Sequence, residues 1–130
     1  MTEYVNTFPK LKLGTTVTEG DMLSSAAVKL DGNGDLVPCT AATDDCAGIV
    51  HNATNFAAGF HVDLNGHGYQ IFIAQGAITA GADLAPSASV PGALKAAVAT
   101  DKIVGKAMED AADGEPCFGY LYPNKTTLKA

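Results

Sequence analysis

Ala26-Ala27-Val28-Lys29-Leu30-Asp31-Gly32-Asn33-Gly34-Asp35-Leu36-Val37-Pro38-Cys39 is the stretch on which the fold turns. Two short apolar runs flank Asp-Gly and Asn-Gly, the dipeptides that supply the positive-φ residues of a tight hairpin. The same punctuation recurs along the chain. Glycines and turn dipeptides every six to twelve residues separate short segments rich in Val, Ile, Leu, Phe and Tyr, the spacing of an all-β sandwich or barrel. Strands are expected over residues 26–30, 36–39, 48–51, 60–64, 69–74, 103–107 and 117–122, several of them alternating apolar and polar. Asp113-Gly114 and Gly66-His67-Gly68 mark further turns. Residues 94–99 and 107–112 contain good helix formers, so each is ambiguous between extended chain and a helical turn.

The chain echoes itself. Val17-Thr18-x-Gly20 matches Ile78-Thr79-x-Gly81 at an offset of 61. Ala42-Thr43-Asp44 followed by Gly48 matches Ala99-Thr100-Asp101 followed by Gly105 at an offset of 57. Between these anchors, Gly34-Asp35-Leu36 lies opposite Gly92-Ala93-Leu94. Two related β modules are therefore expected, and since each is too small to bury a core alone, they are expected to share one closed barrel.

Composition bounds the function. A chain of 130 residues fits one domain. Its 47% apolar content is carried mostly by alanine, with no Trp, five Phe and four Tyr, which predicts a shallow core that an oligomer would help stabilise. Eight basic residues, all lysine, against 14 acidic ones leave a net charge of −6. That balance repels phosphate backbones, so no nucleic-acid partner is expected. No apolar run reaches the length of a membrane span, and Met1-Thr2-Glu3-Tyr4 begins no signal peptide, which points to synthesis in the cytoplasm and no membrane partner. The odd set Cys39, Cys46 and Cys117 fits reduced thiols used as small hydrophobes.

Candidate chemistry is sparse. Asp31-Gly32-Asn33-Gly34-Asp35 begins like a calcium loop, but the sixth and twelfth positions are Leu36 and Ala42 where such a loop needs Gly and a bidentate Glu. His51, His61 and His67 stand in no zinc-ligand spacing with one another or with the cysteines. Ser24, Ser25, Ser87 and Ser89 lack a nucleophile elbow. Lys106 precedes Ala107-Met108, a weak likeness to the lysine hairpin of biotinyl domains, but Glu109 stands where the modified amine would be. No catalytic residue, cofactor or metal is expected, and the chain is read as a non-enzyme. Tyr69, Tyr120 and Tyr122 leave open a carbohydrate- or surface-binding β module as the alternative, provided that they form an exposed platform.

Residues 1–14 read as an extended arm, with a first edge strand or a frayed terminus as the alternative: Tyr4, Val5, Phe8, Leu11 and Leu13 are apolar, Pro9 blocks a central ladder position, and Lys10 and Lys12 alternate with the leucines. Residues 15–123 form the barrel-like body and 124–130 a C-terminal tail. The arm carries +1 against −7 for the remainder and is suited to adding a strand to a partner's sheet edge.

From Val17 to Tyr122 the chain resembles the capsid decoration, or cement, proteins of tailed phages. The resemblance rests on Val17-Thr18-Glu19-Gly20-Asp21, Gly48-Ile49-Val50, Ile78-Thr79-Ala80-Gly81-Ala82-Asp83-Leu84, and the run from Ile103-Val104-Gly105-Lys106-Ala107-Met108 to Asp113-Gly114-Glu115. It implies a β-barrel or β-tulip body, a homotrimeric knob on the virion exterior, the major capsid protein as partner, and an N-terminal arm that engages it. The segment from Asn52 to Tyr69 carries no such resemblance.

Overall fold

The computed structural model describes residues 11–14, 17, 22–51, 53, 56–59, 61–122 and 127–130. Their regular structure is entirely β: β1 (Leu11–Lys12), β2 (Ser25–Leu30), β3 (Leu36–Pro38), β4 (Gly48–His51), β5 (His61–Val62), β6 (Gly68–Ile73), β7 (Asp83–Pro86), β8 (Leu94–Ala96), β9 (Gly105–Ala107) and β10 (Pro116–Leu121). All strand ladders are antiparallel, in the orders β1-β5, β3-β2-β4 and β6-β10-β9-β7-β8. No helix among the described residues is long and apolar enough to cross a membrane.

The β2–β3 hairpin forms, but of its two glycines only Gly34 takes the expected positive φ, +78°. Leu30 pairs with Leu36, the Asp31 amide donates to the Asp35 carbonyl at 2.8 Å, and the Asp31 carboxylate accepts the amides of Asn33 and Asp35 at 2.8 and 3.0 Å. The first of the residues that suggested a calcium loop thus uses its carboxylate in building the turn.

Isolated bridges join the ladders into two rings. In the first half, the parallel bridge Leu13↔Leu36 connects β1 to β3, and Ile49↔Asn65 connects β4 to the end of β5. The circuit β1-β3-β2-β4-β5 is closed. In the second half, β6, β10, β9, β7 and β8 pair in series, and the parallel bridge Ala74↔Leu94 returns from β8 to the end of β6. The halves share a set of equivalent pairings. Leu11↔Val62 corresponds to Phe72↔Cys117, Val28↔Gly48 to Leu84↔Gly105, and Ile49↔Asn65 to Lys106↔Tyr120. The Gly59 amide bonds the Leu13 carbonyl as Gly114 bonds Ala74, at 2.9 and 2.8 Å, and these two glycines share φ values of +84° and +82°.

The expected two modules are present, but the expected single shared barrel is not. Each half closes its own small ring around its own core. Leu13, Val17, Met22, Ala26, Val28, Leu36, Val50 and Val62 fill the first, and Phe72, Ile78, Leu84, Leu94, Val104, Cys117 and Leu121 fill the second. What a small ring cannot bury internally it buries against its neighbour: Ala27 and Ile49, which alternate with Ala26, Val28 and Val50, point out of the first ring into the second core.

Several expectations change with this architecture. Leu11 and Leu13 do not belong to a free arm, since Leu11 pairs with Val62 and Leu13 is 1% exposed in the first core. Tyr4, Val5 and Phe8 lie outside the described residues. Residues 94–96 form strand β8, while the chain beyond Ala107 turns without a helix. Strand β7 occupies a stretch for which no strand was expected. In the presumed tail, residues 127–129 lie along Thr100–Ile103: the Ile103 amide bonds Thr127, and Lys129 exchanges bonds with Thr100 and Asp101.

Candidate functional site

Strand β10 and its extension alternate strictly, with Cys117, Gly119 and Leu121 inward and Phe118, Tyr120 and Tyr122 on the opposite face. The Phe72 ring lies against Gly119, where an added Cβ would meet it at 2.9 Å. On the outer face the register builds two cross-strand rows. Ile71, Phe118 and Met108 form one: Phe118 pairs with Ile71, and the Met108 amide donates to the Phe118 carbonyl at 2.9 Å. Tyr69, Tyr120 and Lys106 form the other.

The rings touch one another and stay open to solvent. Tyr69 and Phe118 are parallel within 5° at 5.8 Å, Tyr120 meets Tyr69 edge-on at 4.9 Å, and Tyr122 lies 6.4 Å from Tyr120. The first two geometries are the favoured ones for aromatic pairs. Tyr69 is 64% exposed, Met108 52%, Ile71 45%, Tyr120 39% and Phe118 38%. Beside Tyr120, Lys106 and Lys129 bind the two oxygens of Asp83 at 3.1 and 2.9 Å, and hydrogen bonds from Lys129 and then Lys106 hold that carboxyl below its usual range. Burial, with Asp83 nearby, pushes the Tyr122 hydroxyl up.

Tyr69, Tyr120 and Tyr122, singled out from sequence, are therefore brought together, and Phe118, Ile71 and Met108 join them. The signal for these last three was the period-two alternation of 117–122 combined with a register that sequence does not specify.

A second polar chain links the two halves. Ser25 Oγ lies 3.0 Å from His51 Nδ1, His51 Nε2 lies 3.3 Å from Gln70 Oε1, and Gln70 Nε2 donates to the carbonyls of Asn65 and Gly66. Gln70 presents its oxygen to His51, so His51 Nε2 donates and Nδ1 accepts from Ser25. Ser25 and His51 have the contact of a nucleophile and base, but Ser25 is buried and the third member is a neutral amide, which cannot stabilise an imidazolium as a carboxylate does. All three cysteines are free and buried. A hydrogen bond to the Cys46 thiol, and then burial, push the Cys39 thiol up; burial, with Glu109 and Asp110 nearby, raises Cys117. A groove of about 560 Å³ is lined by Val17, Met22, Val37, Pro38 and Pro91, and its Lys29 is held by Asp44 at 3.0 Å. Among the described residues no three His, Cys, Asp or Glu side chains converge as a metal site.

No protein-family model matches the chain, and no curated protein matches it significantly.

Proposed function

We propose that this chain is a non-enzymatic structural protein of a tailed-phage particle, which binds the major capsid protein on the outside of the shell as a homotrimer. The sequence resemblance over residues 17–122 supports this reading, and the observation that carries it is the open aromatic face of β6, β9 and β10. A contiguous apolar face on a small monomer marks an interaction surface. With no Trp or Arg in the chain, one copy lacks the commonest hot-spot residues, and three linked copies gain by avidity what each lacks in affinity. The arm contribution falls to Tyr4, Val5 and Phe8, since Leu11 pairs with Val62 and Leu13 serves the first core.

Light scattering on the purified protein checks the trimer, which requires a mass of three protomers; a lone protomer at all concentrations removes it. Attachment is checked by co-sedimentation with shells of the parent phage. Truncation of residues 1–9 spares Leu11 and Leu13, and is expected to abolish occupancy while the β circular-dichroism spectrum persists. Unchanged occupancy would sink the arm as the attachment element.

A second reading is favoured by one observation, the open Tyr69 ring stacked against Phe118, which offers a sugar one flat aromatic face. Tyr120 stands at 74° to Tyr69 and adds no second ring to that face. Binding on a glycan array that is lost in Tyr69→Ala would select this reading over the capsid one.

A further inference from the structure

The repeated halves supply an internal control for the aromatic face. The register places Phe118 in the slot that Asp63 occupies in the first ring, Tyr120 in that of Asn65, and Met108 in that of His51. The first ring closes with polar residues at all three positions. Barrel formation therefore does not call for an aromatic row, and exposing one to water is unfavourable by itself. At these three positions the apolar surface belongs to the second half.

Charge around the face is divided between its two ends. The turn that leads from β9 into β10 carries Glu109, Asp110, Asp113 and Glu115 and no basic residue, beside the Phe118 end. Lys106 and Lys129 flank Asp83 at the Tyr120 end, which leaves that end positive. Along β10 the acidic turn and the Lys106 end are set apart by two positions at Glu109, ~7 Å, and by five at Glu115, ~17 Å. Such a face complements itself when a second one is turned end for end. The five exposed residues offer about 500 Å² per copy, so a pair buries at most about 1,000 Å², the size of a weak contact.

We propose that this face pairs with the same face of a second copy about a two-fold axis passing near the Tyr69, Phe118 and Tyr120 rings, with the acidic turn of each copy set over Lys106 and Lys129 of the other. The contact is isologous, so it closes at two copies and cannot propagate. It uses the face on which the capsid reading rests, so the pair is a state of the free protein that must part for this face to meet a shell: a trimer built through other surfaces would double to six, and a protein that binds no shell would still pair.

Sedimentation velocity on the full chain, from about 1 μM to about 1 mM, tests it. Pairing doubles the mass across this range and weakens as salt is raised, because charges at the rim are screened. The double variant Phe118→Ser, Tyr120→Ser is expected to stay at half the parent's limiting mass. Lys106→Glu and Glu115→Lys, both at exposed positions, are each expected to weaken pairing by about tenfold. Mixed in equal amounts they should recover it, since both rims of the mixed pair are then complementary. A parent that never doubles, or a serine variant that doubles like the parent, overturns the surface; failure of the mixed pair to recover overturns the two-fold arrangement. Shell co-sedimentation reports separately on the capsid reading.

Discussion

Gly105 begins β9 directly beneath the neighbouring strand. A Cβ there would sit 2.5 Å from the Tyr120 carbonyl oxygen and 2.6 Å from Leu121 Cδ2. Its counterpart Gly48 meets the Asn65 carbonyl in the same way, and Asn65 and Tyr120 are themselves equivalent. This accounts for a feature visible in the sequence, the glycine four residues after Asp44 and after Asp101. A backbone carbonyl cannot swing aside as a side chain can, so Gly105→Ala is expected to lower stability by about 3 kcal/mol, measured by urea unfolding. Gly32, in the β2–β3 turn, has nothing within 4 Å of an added Cβ and a φ outside the left-handed region, and Gly32→Ala should leave the midpoint nearly unchanged. Equal effects of the two substitutions would remove close approach as the reason for the glycine.

At the scale of elements, the loops that follow β3 and β8 are built alike around Asp44 and Asp101. Asp44 accepts the Thr40 and Ala41 amides and Lys29, at 2.8, 2.9 and 3.0 Å; Asp101 accepts the Val98 amide and Lys95, at 2.9 and 2.7 Å. Burial opposes ionisation of both, yet these bonds outweigh it and hold both carboxyls below their usual range. Unfolded carboxyls titrate near 4, so their stabilisation is complete above about pH 5 and is lost as pH falls through the lower folded values. We expect thermal stability to decline below about pH 4, and Asp101→Asn to cost about 2 kcal/mol at neutral pH while flattening that decline. An acid limb as steep in the variant as in the parent would assign it to other groups. The two aspartates were legible as an echo at an offset of 57, but their lysines were not. Lys29 lies on β2 opposite Val37, and Lys95 lies on β8 opposite Ala85. The cation has moved to the facing strand of the ladder, a change that keeps its place in space and erases its match in sequence. Strand β8 was ambiguous for a related reason: Leu-Lys-Ala suits a helix, and only pairing with β7 makes it extended.

For the whole molecule, the two rings hold together through a common interior and not through a linker alone. Ile49 and Ala27 of the first half lie in the core of the second. The Lys102 amide also bonds the Ala42 carbonyl at 3.0 Å, and the Lys102 amine pairs with Asp45. Unfolding of one half exposes part of the other's core, so we expect a single transition by fluorescence and by circular dichroism. Ile49→Ala should lower its midpoint by an amount equivalent to about 3 kcal/mol without splitting it; two separate transitions would mean that the rings are independent. The sequence by itself determined the all-β class, the main hairpin, the duplication and the glycine and aspartate anchors, because these depend on period, turn chemistry and local backbone geometry. Tertiary structure alone decided that the chain closes two rings instead of one, that Leu13 is core and not arm, and that Phe118, Ile71 and Met108 join the tyrosines on one open face. Each of these depends on which strands become neighbours and in what register, and a shift of one residue would exchange the inner and outer faces of every strand.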